Sequence, residues 1–78
     1  MRYQCEMTLR RAEGALLRVL GTTERRGFRP VAFEGDARED SDRWSLRMTV
    51  ESDRAASALQ GQLAKLYDCV SVEVSPCR

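Results

Sequence analysis

Hydrophobic and polar residues alternate strictly in three stretches of the chain, and each alternation predicts a strand with one buried and one exposed side. These stretches are Tyr3 to Leu9, Trp44 to Glu51 and Val70 to Ser75. A fourth, less regular strand is predicted from Phe28 to Glu34. Pro30 lies inside it, and because proline has no N–H to donate, we expect this strand at the edge of a sheet.

Two other stretches carry apolar residues at helical spacing, and each predicts an amphipathic helix. The first helix runs from about Gly14 to Arg26, and its apolar side consists of Ala15, Leu16, Val19, Leu20 and Thr23. Gly27 then supplies a left-handed stop after a basic last turn. The second helix follows Ser52 or Asp53, either of which is a suitable N-cap. Its apolar side consists of Ala56, Leu59, Leu63, Leu66 and Tyr67.

The predicted order of elements is βαββαβ, which favours the α+β class and a ferredoxin-like sandwich. In this fold a four-stranded antiparallel sheet carries both helices on one face. The other face is predicted to be polar, with Gln4, Glu6, Thr8, Arg47, Thr49, Ser71 and Glu73. It is either a surface for a partner or simply solvated. Residues 1–78 form one domain with a core from about residue 3 to 75, too short for a second core.

Composition argues against several classes of partner. Thirteen basic and twelve acidic residues give a formal net charge of +1, so no basic field favours nucleic acid. No apolar run is long enough to span a membrane. The three cysteines, at positions 5, 69 and 77, lack the spacing of a disulfide framework or a zinc site. We therefore expect a reduced, cytoplasmic protein that holds no metal.

Candidate catalytic chemistry is scarce in this sequence. The chain has no histidine, so it has no Ser-His or Cys-His pair. Its acidic cluster lacks the spacing of a calcium loop and favours a solvated loop, predicted from Gly35 to Arg43, over a cation site. The cluster consists of Glu34, Asp36, Glu39, Asp40 and Asp42. The sequence therefore predicts no catalytic residue and no metal ligand.

One short run has the features of a binding site. The run from Arg11 to Ala15 lies where the first strand turns into the first helix. Free backbone N–H groups at the start of a helix favour a carboxylate, and Gly14 lets a small ligand approach the backbone closely. The carboxylate of an amino acid fits such a site. The alternative is that Gly14 only permits a tight turn, and physical chemistry alone favours that alternative.

Two runs resemble sequences of a known family. Residues 13–19, with the pattern Glu-Gly-Ala-Leu-x-Arg-Val, and Arg-Gly-Phe at 26–28 resemble the ligand loop and first helix of ACT domains. Residues 62–72 read Gln-Leu-x-Lys-Leu-x-Asp-x-x-x-Val. That pattern is similar to the second helix and last strand of the short small subunits of acetolactate synthase, also called acetohydroxyacid synthase. The resemblance covers about Tyr3 to Val74.

This resemblance implies a regulatory subunit without a catalytic site of its own. Such a subunit binds and activates the catalytic large subunit of acetolactate synthase, a transferase of branched-chain amino acid biosynthesis. It implies thiamine diphosphate, Mg and FAD on that large subunit and no cofactor on this chain. It also implies a homodimer formed through ACT domains, with a branched-chain amino acid as effector at the interface. The alternative is a stand-alone ACT amino-acid sensor that regulates another enzyme.

The resemblance also assigns residues to these roles. The implied effector site consists of Arg11, Gly14, Ala15 and Arg29, and the implied dimer edge of Phe28, Val31 and Phe33. Arg11 and Arg29 stand where valine-sensitive members have asparagine, and Pro30 lacks an N–H on the same edge. Two guanidiniums hold a carboxylate but repel an α-ammonium group. We therefore expect activation of the catalytic subunit rather than strong inhibition by valine.

Overall fold

Four strands and two helices make up the described part of the chain, residues 1–37 and 41–77 of a computed structural model. In chain order they are β1 (Arg2–Arg10), α1 (Ala15–Arg25), β2 (Arg29–Ala37), β3 (Arg43–Glu51), α2 (Ala56–Ala64) and β4 (Cys69–Pro76). The strands form one antiparallel sheet in the order β2-β3-β1-β4. The predicted ferredoxin-like βαββαβ fold is confirmed.

The strand register collects the apolar side chains on one face of the sheet. In the β1–β3 pair, Tyr3 lies opposite Val50 and Met7 lies opposite Leu46. Both helices cover this face, and the side chains between them and the sheet form a single cluster. The buried members of that cluster are Tyr3, Cys5, Met7, Leu9, Val19, Phe28, Leu46, Met48, Val50, Leu59, Leu63 and Val74. Removing this apolar surface from water is the main driving force for the fold.

The opposite face of the sheet is polar and uncovered, as the alternation predicts. Arg47 stands near its centre and pairs with Glu6 at 3.5 Å and with Glu34 at 3.4 Å. Glu73 lies directly opposite Glu6 in the β1–β4 pair, which places two like charges side by side. Because these groups are solvated, each pair contributes little to the free energy of folding.

The second strand is longer than predicted, although its place at the sheet edge and Pro30 within it agree with the sequence. Residues 35–37 pair with residues 44–46 of β3 instead of belonging to a loop. Pairing with β3 satisfies the backbone groups on their inner side, so polar side chains at an edge do not prevent a strand. The predicted loop from Gly35 to Arg43 is therefore shorter, and its members Glu39 and Asp40 lie outside the described residues.

The predicted cap of the second helix is wrong. The N-cap position of α2 is Ala55, which has no side chain able to cap it. The hydroxyl of Ser52 instead donates to the carbonyl of Gly27 at 2.8 Å and accepts from the N–H of Arg54 at 3.0 Å. This serine therefore ties the end of β3 to the turn before β2.

The end of α2 also differs from the prediction. The helix stops at Ala64, so Leu66 and Tyr67 belong to the connection that leads to β4. Leu66 still packs against the core, but Tyr67 is 82% exposed. The helical spacing of Tyr67 in the sequence was misleading because the chain leaves the helix before that position.

A bulge in β4 explains a second misplaced residue, Val70. In the β1–β4 pair, Thr8 lies opposite Ser71 and Leu9 opposite Cys69, so Val70 has no partner between them. Such an inserted residue turns out of the ladder, and Val70 is 43% exposed.

The outer edge of β4 is closed to further strands at one point. The N–H of Val74 donates to the side-chain oxygen of Gln60 on α2 at 2.9 Å. An N–H on a sheet edge is otherwise available to another strand. The side chain from α2 therefore occupies a site at which a neighbouring strand would bind.

The cysteines are free thiols that differ in burial: Cys5 is buried, Cys69 is half-buried and Cys77 is exposed. Burial, with a smaller contribution from Cys69, raises the pKa of Cys5 to about 12. Cys5 thus packs as a small apolar side chain, because a thiol of that pKa stays protonated.

Within residues 1–37 and 41–77, no helix is long and apolar enough to cross a membrane.

We predict that Leu63→Ala lowers the free energy of unfolding by about 2 to 5 kcal/mol, because Leu63 is fully buried and the change leaves a cavity. Leu17→Ala is the matched control, since Leu17 is 76% exposed on α1, and we expect a change within about 0.5 kcal/mol. Urea denaturation of both variants measures the difference. Equal losses would contradict the assignment of the core.

Candidate functional site

The turn between β1 and α1 depends on a glycine. Gly14 is the N-cap residue of α1, with φ 77° and ψ 4°, a left-handed conformation that other residues rarely adopt. A β-carbon at this position would lie 2.9 Å from Nη1 of Arg18. The tight-turn role of Gly14 is therefore observed, and a larger residue would be strained by this φ and would displace the Arg18 guanidinium.

The first turn of α1 has the features of an anion site. It has no side-chain cap and contains no acidic residue. The N–H of Ala15 donates to the carbonyl of Ala12 at 3.1 Å, while the helical bonds begin with the N–H of Arg18 donating to Gly14 at 3.0 Å. N–H groups between these positions have no acceptor within the helix. They suit a small carboxylate, which the positive end of the helix dipole would favour.

An ion pair holds this turn against the far end of the chain. Nε of Arg18 donates to Oδ2 of Asp68 at 2.6 Å, and its Nη2 donates to the carbonyl of Glu13 at 2.7 Å. Asp68 is only 2% exposed, whereas the Arg18 side chain is about half exposed. The hydrogen bond to Asp68 raises the pKa of the Arg18 guanidinium. One side chain thus connects the β1–α1 turn to the start of β4.

No pattern in the sequence predicts this pair. Asp68 stands between Tyr67 and Cys69 just before an apolar strand, where a carboxylate needs a cation if it is buried. That signal identifies Asp68 as unusual but does not identify its partner. Arg18 lies 50 residues away in the chain, so only the tertiary fold brings the two together.

Arg11 is directed toward β3 and not toward Gly14. Its guanidinium carbon lies 5.7 Å from the ring centre of Trp44, and its Nη1 donates to the carbonyl of Ser41 at 3.2 Å. Its backbone N–H donates to the carbonyl of Asp42 at 2.9 Å. These contacts bind the end of β1 to the start of β3.

Arg29 lies at the other end of the sheet. It pairs in register with Glu51, whereas the end of β1 pairs with Arg43 at the opposite end of β3. Glu51 and Arg43 are eight positions apart along β3 (51 − 43), a distance of roughly 27 Å at the usual rise per residue. Within one chain, the four predicted effector residues therefore do not form one site: Arg11, Gly14 and Ala15 lie together, and Arg29 lies apart.

Glu51 holds two guanidiniums at that distant end. Nη2 of Arg29 donates to its Oε1 at 2.6 Å, and Nε of Arg2 donates to its Oε2 at 2.8 Å. These hydrogen bonds lower the pKa of Glu51 from its ordinary 4.5 to about 2. Arg29 is thus already paired with a carboxylate of its own chain.

The three residues predicted at the dimer edge have different positions. Val31 and Phe33 are 42% and 40% exposed on the edge strand β2. Phe28 is 1% exposed, and its ring packs 6.2 Å from that of Tyr3 in the core. The structure therefore corrects the placement of Phe28, because its side chain points under the helices and not outward from the edge.

Metal-binding geometry is not found in the described ranges. Among residues 1–37 and 41–77, no three cysteine or acidic side chains are placed to hold one ion. Every buried side-chain nitrogen and oxygen in the same ranges has a hydrogen-bond partner. The polar groups in this part of the interior are therefore satisfied by the protein itself.

We predict that Asp68→Asn lowers the free energy of unfolding by about 1 to 3 kcal/mol, because a buried charge-assisted hydrogen bond is lost. Arg18→Ala should cost more, since it leaves a buried carboxylate without a cation. The double variant should cost less than the sum of the two. Urea denaturation measures all three, with Arg47→Ala on the solvated face as a control of little effect. Additive losses would contradict a direct pair.

Glu51 should make the free energy of unfolding decrease at acid pH. Above about pH 4.5 its carboxylate is charged in both the folded and unfolded chain, so its stabilising contribution is complete. As the pH falls toward 2, the unfolded chain binds the proton first, and this contribution is lost. Unfolding of Glu51→Gln, followed from pH 7 to about 2, should show a smaller loss than the unmodified chain or Glu24→Gln. Identical curves would exclude the two-arginine arrangement.

Comparison with known families gives one match. Residues 11–72 match the ACT domain family, a range that includes the β1–α1 turn, Arg18 and Asp68. Comparison with curated protein sequences gives no match.

Solved structures share the fold over nearly all of this chain. The ACT domain from the GTP pyrophosphokinase of Chlorobium tepidum has a TM-score of 0.79 at 10% identity, over 95% of this chain and 96% of that one. Formyltetrahydrofolate deformylase from Burkholderia mallei has a TM-score of 0.78 at 12% identity, over 97% of this chain and 28% of that one. An uncharacterised protein from Thermotoga maritima has a TM-score of 0.75 at 15% identity, over 99% and 96%.

Identities this low show a common fold and nothing about a common ligand. The family match is the stronger finding, because it extends from the end of β1 into β4. The chain belongs to the ACT domain family of regulatory domains.

Proposed function

We propose that this ACT domain is the small subunit of acetolactate synthase and activates the thiamine-diphosphate-dependent catalytic subunit. The observation that carries the proposal is the ion pair between Arg18 and Asp68. It joins residues 13–19, which resemble ACT domains, to residues 62–72, which resemble this subunit. Because the two runs contact each other directly, they form one structural unit. Their combined resemblance therefore supports the proposal better than two separate resemblances would.

The proposed effector site needs two copies of the chain. In an antiparallel pairing of two β2 edges, the start of one β2 lies beside the end of the other. Arg29 of the partner subunit would then stand near the end of the sheet that holds Arg11 and Gly14. Exposed Val31 and Phe33 on β2 support such a pairing, because it would remove their apolar surface from water.

The contacts of the two arginines support activation over valine inhibition. Arg11 is held against Trp44, and Arg29 is bonded to Glu51, so neither is arranged for a ligand in the single chain. Pro30 provides no N–H at the same edge. A bound α-amino acid would also bring its ammonium group near cationic side chains, which is unfavourable. The carboxylate would have the start of α1 as its main support.

Activation requires a difference in affinity. The domain must bind the active form of the catalytic subunit more tightly than the inactive form, and such couplings are typically about 1 to 3 kcal/mol. The chemistry would remain on the catalytic subunit with its thiamine diphosphate, Mg and FAD. The proposed setting is the cytoplasm.

We predict that adding this chain raises acetolactate formation by the cognate catalytic subunit at least about fivefold, and that added valine changes the rate little. The matched control is Arg18→Ala with a verified fold, which should activate less because the connection between the two runs is cut. No activation by the unmodified chain would contradict the proposal. Tight amino-acid binding by calorimetry, combined with no activation, would instead assign the chain as a stand-alone sensor.

A further inference from the structure

Glu51 stands between two arginines in one row across the sheet. In the strand register it lies opposite Arg2 of β1 and opposite Arg29 of β2. One carboxylate oxygen accepts from Nε of Arg2 at 2.8 Å, and the other accepts from Nη2 of Arg29 at 2.6 Å. Each oxygen of Glu51 therefore binds one charged donor, and the two arginines share a single carboxylate.

The two arginines are more exposed than the carboxylate that they share. The Glu51 side chain is 28% exposed, whereas those of Arg2 and Arg29 are 61% and 76% exposed. Within the described ranges, the Arg29 guanidinium has one acceptor, which is Oε1 of Glu51. A guanidinium carries five N–H donors, so one acceptor uses only part of its capacity. Arg29 is therefore the outer member of the row and is held by one bond.

Release of Arg29 would not leave Glu51 without a cation. A partly buried carboxylate that loses its only cation is strongly destabilised. Glu51 would keep the hydrogen bond from Nε of Arg2 at 2.8 Å, so its charge would still be balanced. The bond that breaks is a solvated ion pair, which contributes little to the free energy of folding. Arg29 can therefore exchange Glu51 for another carboxylate at low cost.

A small molecule has access to this row from solvent. An open pocket of about 410 Å³ lies at this end of the sheet, and Arg29 and Glu51 both line it together with Arg2, Gly27 and Ser52. A ligand carboxylate that enters the pocket meets the Arg29 guanidinium where the Glu51 side chain already binds it. The exchange therefore needs a movement of side chains and no movement of the strands.

Glu51 and the carboxylate of an effector are the same chemical group, so they compete for Arg29. Each forms a charge-assisted hydrogen bond with a guanidinium. An effector must therefore break the bond between Arg29 and Glu51 before it gains its own, which reduces its net affinity. The hydrogen bonds from the two arginines lower the pKa of Glu51 to about 2. Glu51 is thus charged, and competes, wherever the effector carboxylate is charged.

We propose that Glu51 is an internal competitor that keeps Arg29 from the carboxylate of an amino-acid effector. This inference rests on the proposed function, in which Arg29 of one subunit contributes to the effector site. It adds the residue that sets the affinity of that site. Glu51 is a positioning residue here, because it acts on the effector only through Arg29.

Isothermal titration calorimetry of the full chain with L-valine and with L-leucine tests this proposal. Glu51→Gln should raise the affinity about two- to fivefold, which corresponds to the loss of a solvated ion pair. Arg2→Ala should lower the affinity, because Glu51 is then bound to Arg29 alone and holds it more firmly. Glu6→Gln is the matched control: Glu6 pairs with Arg47 on the polar face, and its change should leave the affinity as it is.

The gain should depend on Arg29. In the double variant that combines Glu51→Gln with Arg29→Ala, the increase in affinity should disappear. A purely structural effect of Glu51 would persist in this double variant. Urea denaturation confirms that each variant is folded, and analytical ultracentrifugation confirms an unchanged oligomeric state. Arg2→Ala keeps the carboxylate, so it tests the proposal by itself if Glu51→Gln does not fold.

The other outcomes overturn the proposal. Unchanged affinity of Glu51→Gln would exclude competition, and weaker binding would mean that Glu51 accepts the α-ammonium group of the effector. An equal gain by Glu6→Gln would show that the loss of any negative charge suffices. No binding by the unmodified chain or by Glu51→Gln would also overturn the proposal.

The proposed function is decided separately, by acetolactate formation with the unmodified chain. Activation of the catalytic subunit together with unchanged affinity of Glu51→Gln would overturn the competition alone. A gain in affinity without activation would support the competition and overturn the proposed function, since the chain would then be a stand-alone sensor.

Discussion

The carboxylate of Asp68 is buried between the end of α2 and the start of β4, and this position is tenable because the Arg18 guanidinium lies 2.6 Å away. That requirement ties the start of α1 to the connection that leads into β4. It also places the Arg18 side chain over Gly14, whose φ of 77° favours glycine. The same pair fixes Asp68, whose carbonyl accepts a hydrogen bond from the backbone N–H of Arg10. The side chain of Arg10 donates in turn to the carbonyl of the exposed Tyr67. One buried charge thus fixes the β1–α1 turn and the connection between α2 and β4 relative to each other.

This arrangement suits a regulatory domain. One face of the sheet is used entirely by the core, which leaves the edge, the polar face and the ends of the strands for partners. The β1–α1 turn and the α2–β4 connection are both loops, yet both are tied to Arg18. Arg18 therefore joins the β1–α1 turn directly to the α2–β4 connection.

Strict alternation was sufficient to predict β1 and β3, because each is an interior strand with one buried and one solvated side. It failed at Val70, since a bulge changes the phase of β4 and no sequence pattern marks its position. Tyr67 was misplaced because periodicity continues past the point where α2 ends. The resemblance located the β1–α1 turn, but the role of Asp68 depends on a partner 50 residues away, which local patterns do not encode.

The two edges of the sheet are unequal. On β4 the Gln60 side chain accepts a hydrogen bond from the N–H of Val74, whereas β2 carries partly exposed Val31 and Phe33. If two copies pair through β2, as proposed above, both outer borders of the resulting eight-stranded layer are β4. Gln60 would then hinder the addition of a further strand at each outer border. It would limit the assembly to two copies and protect a domain rich in strands from growing into a filament.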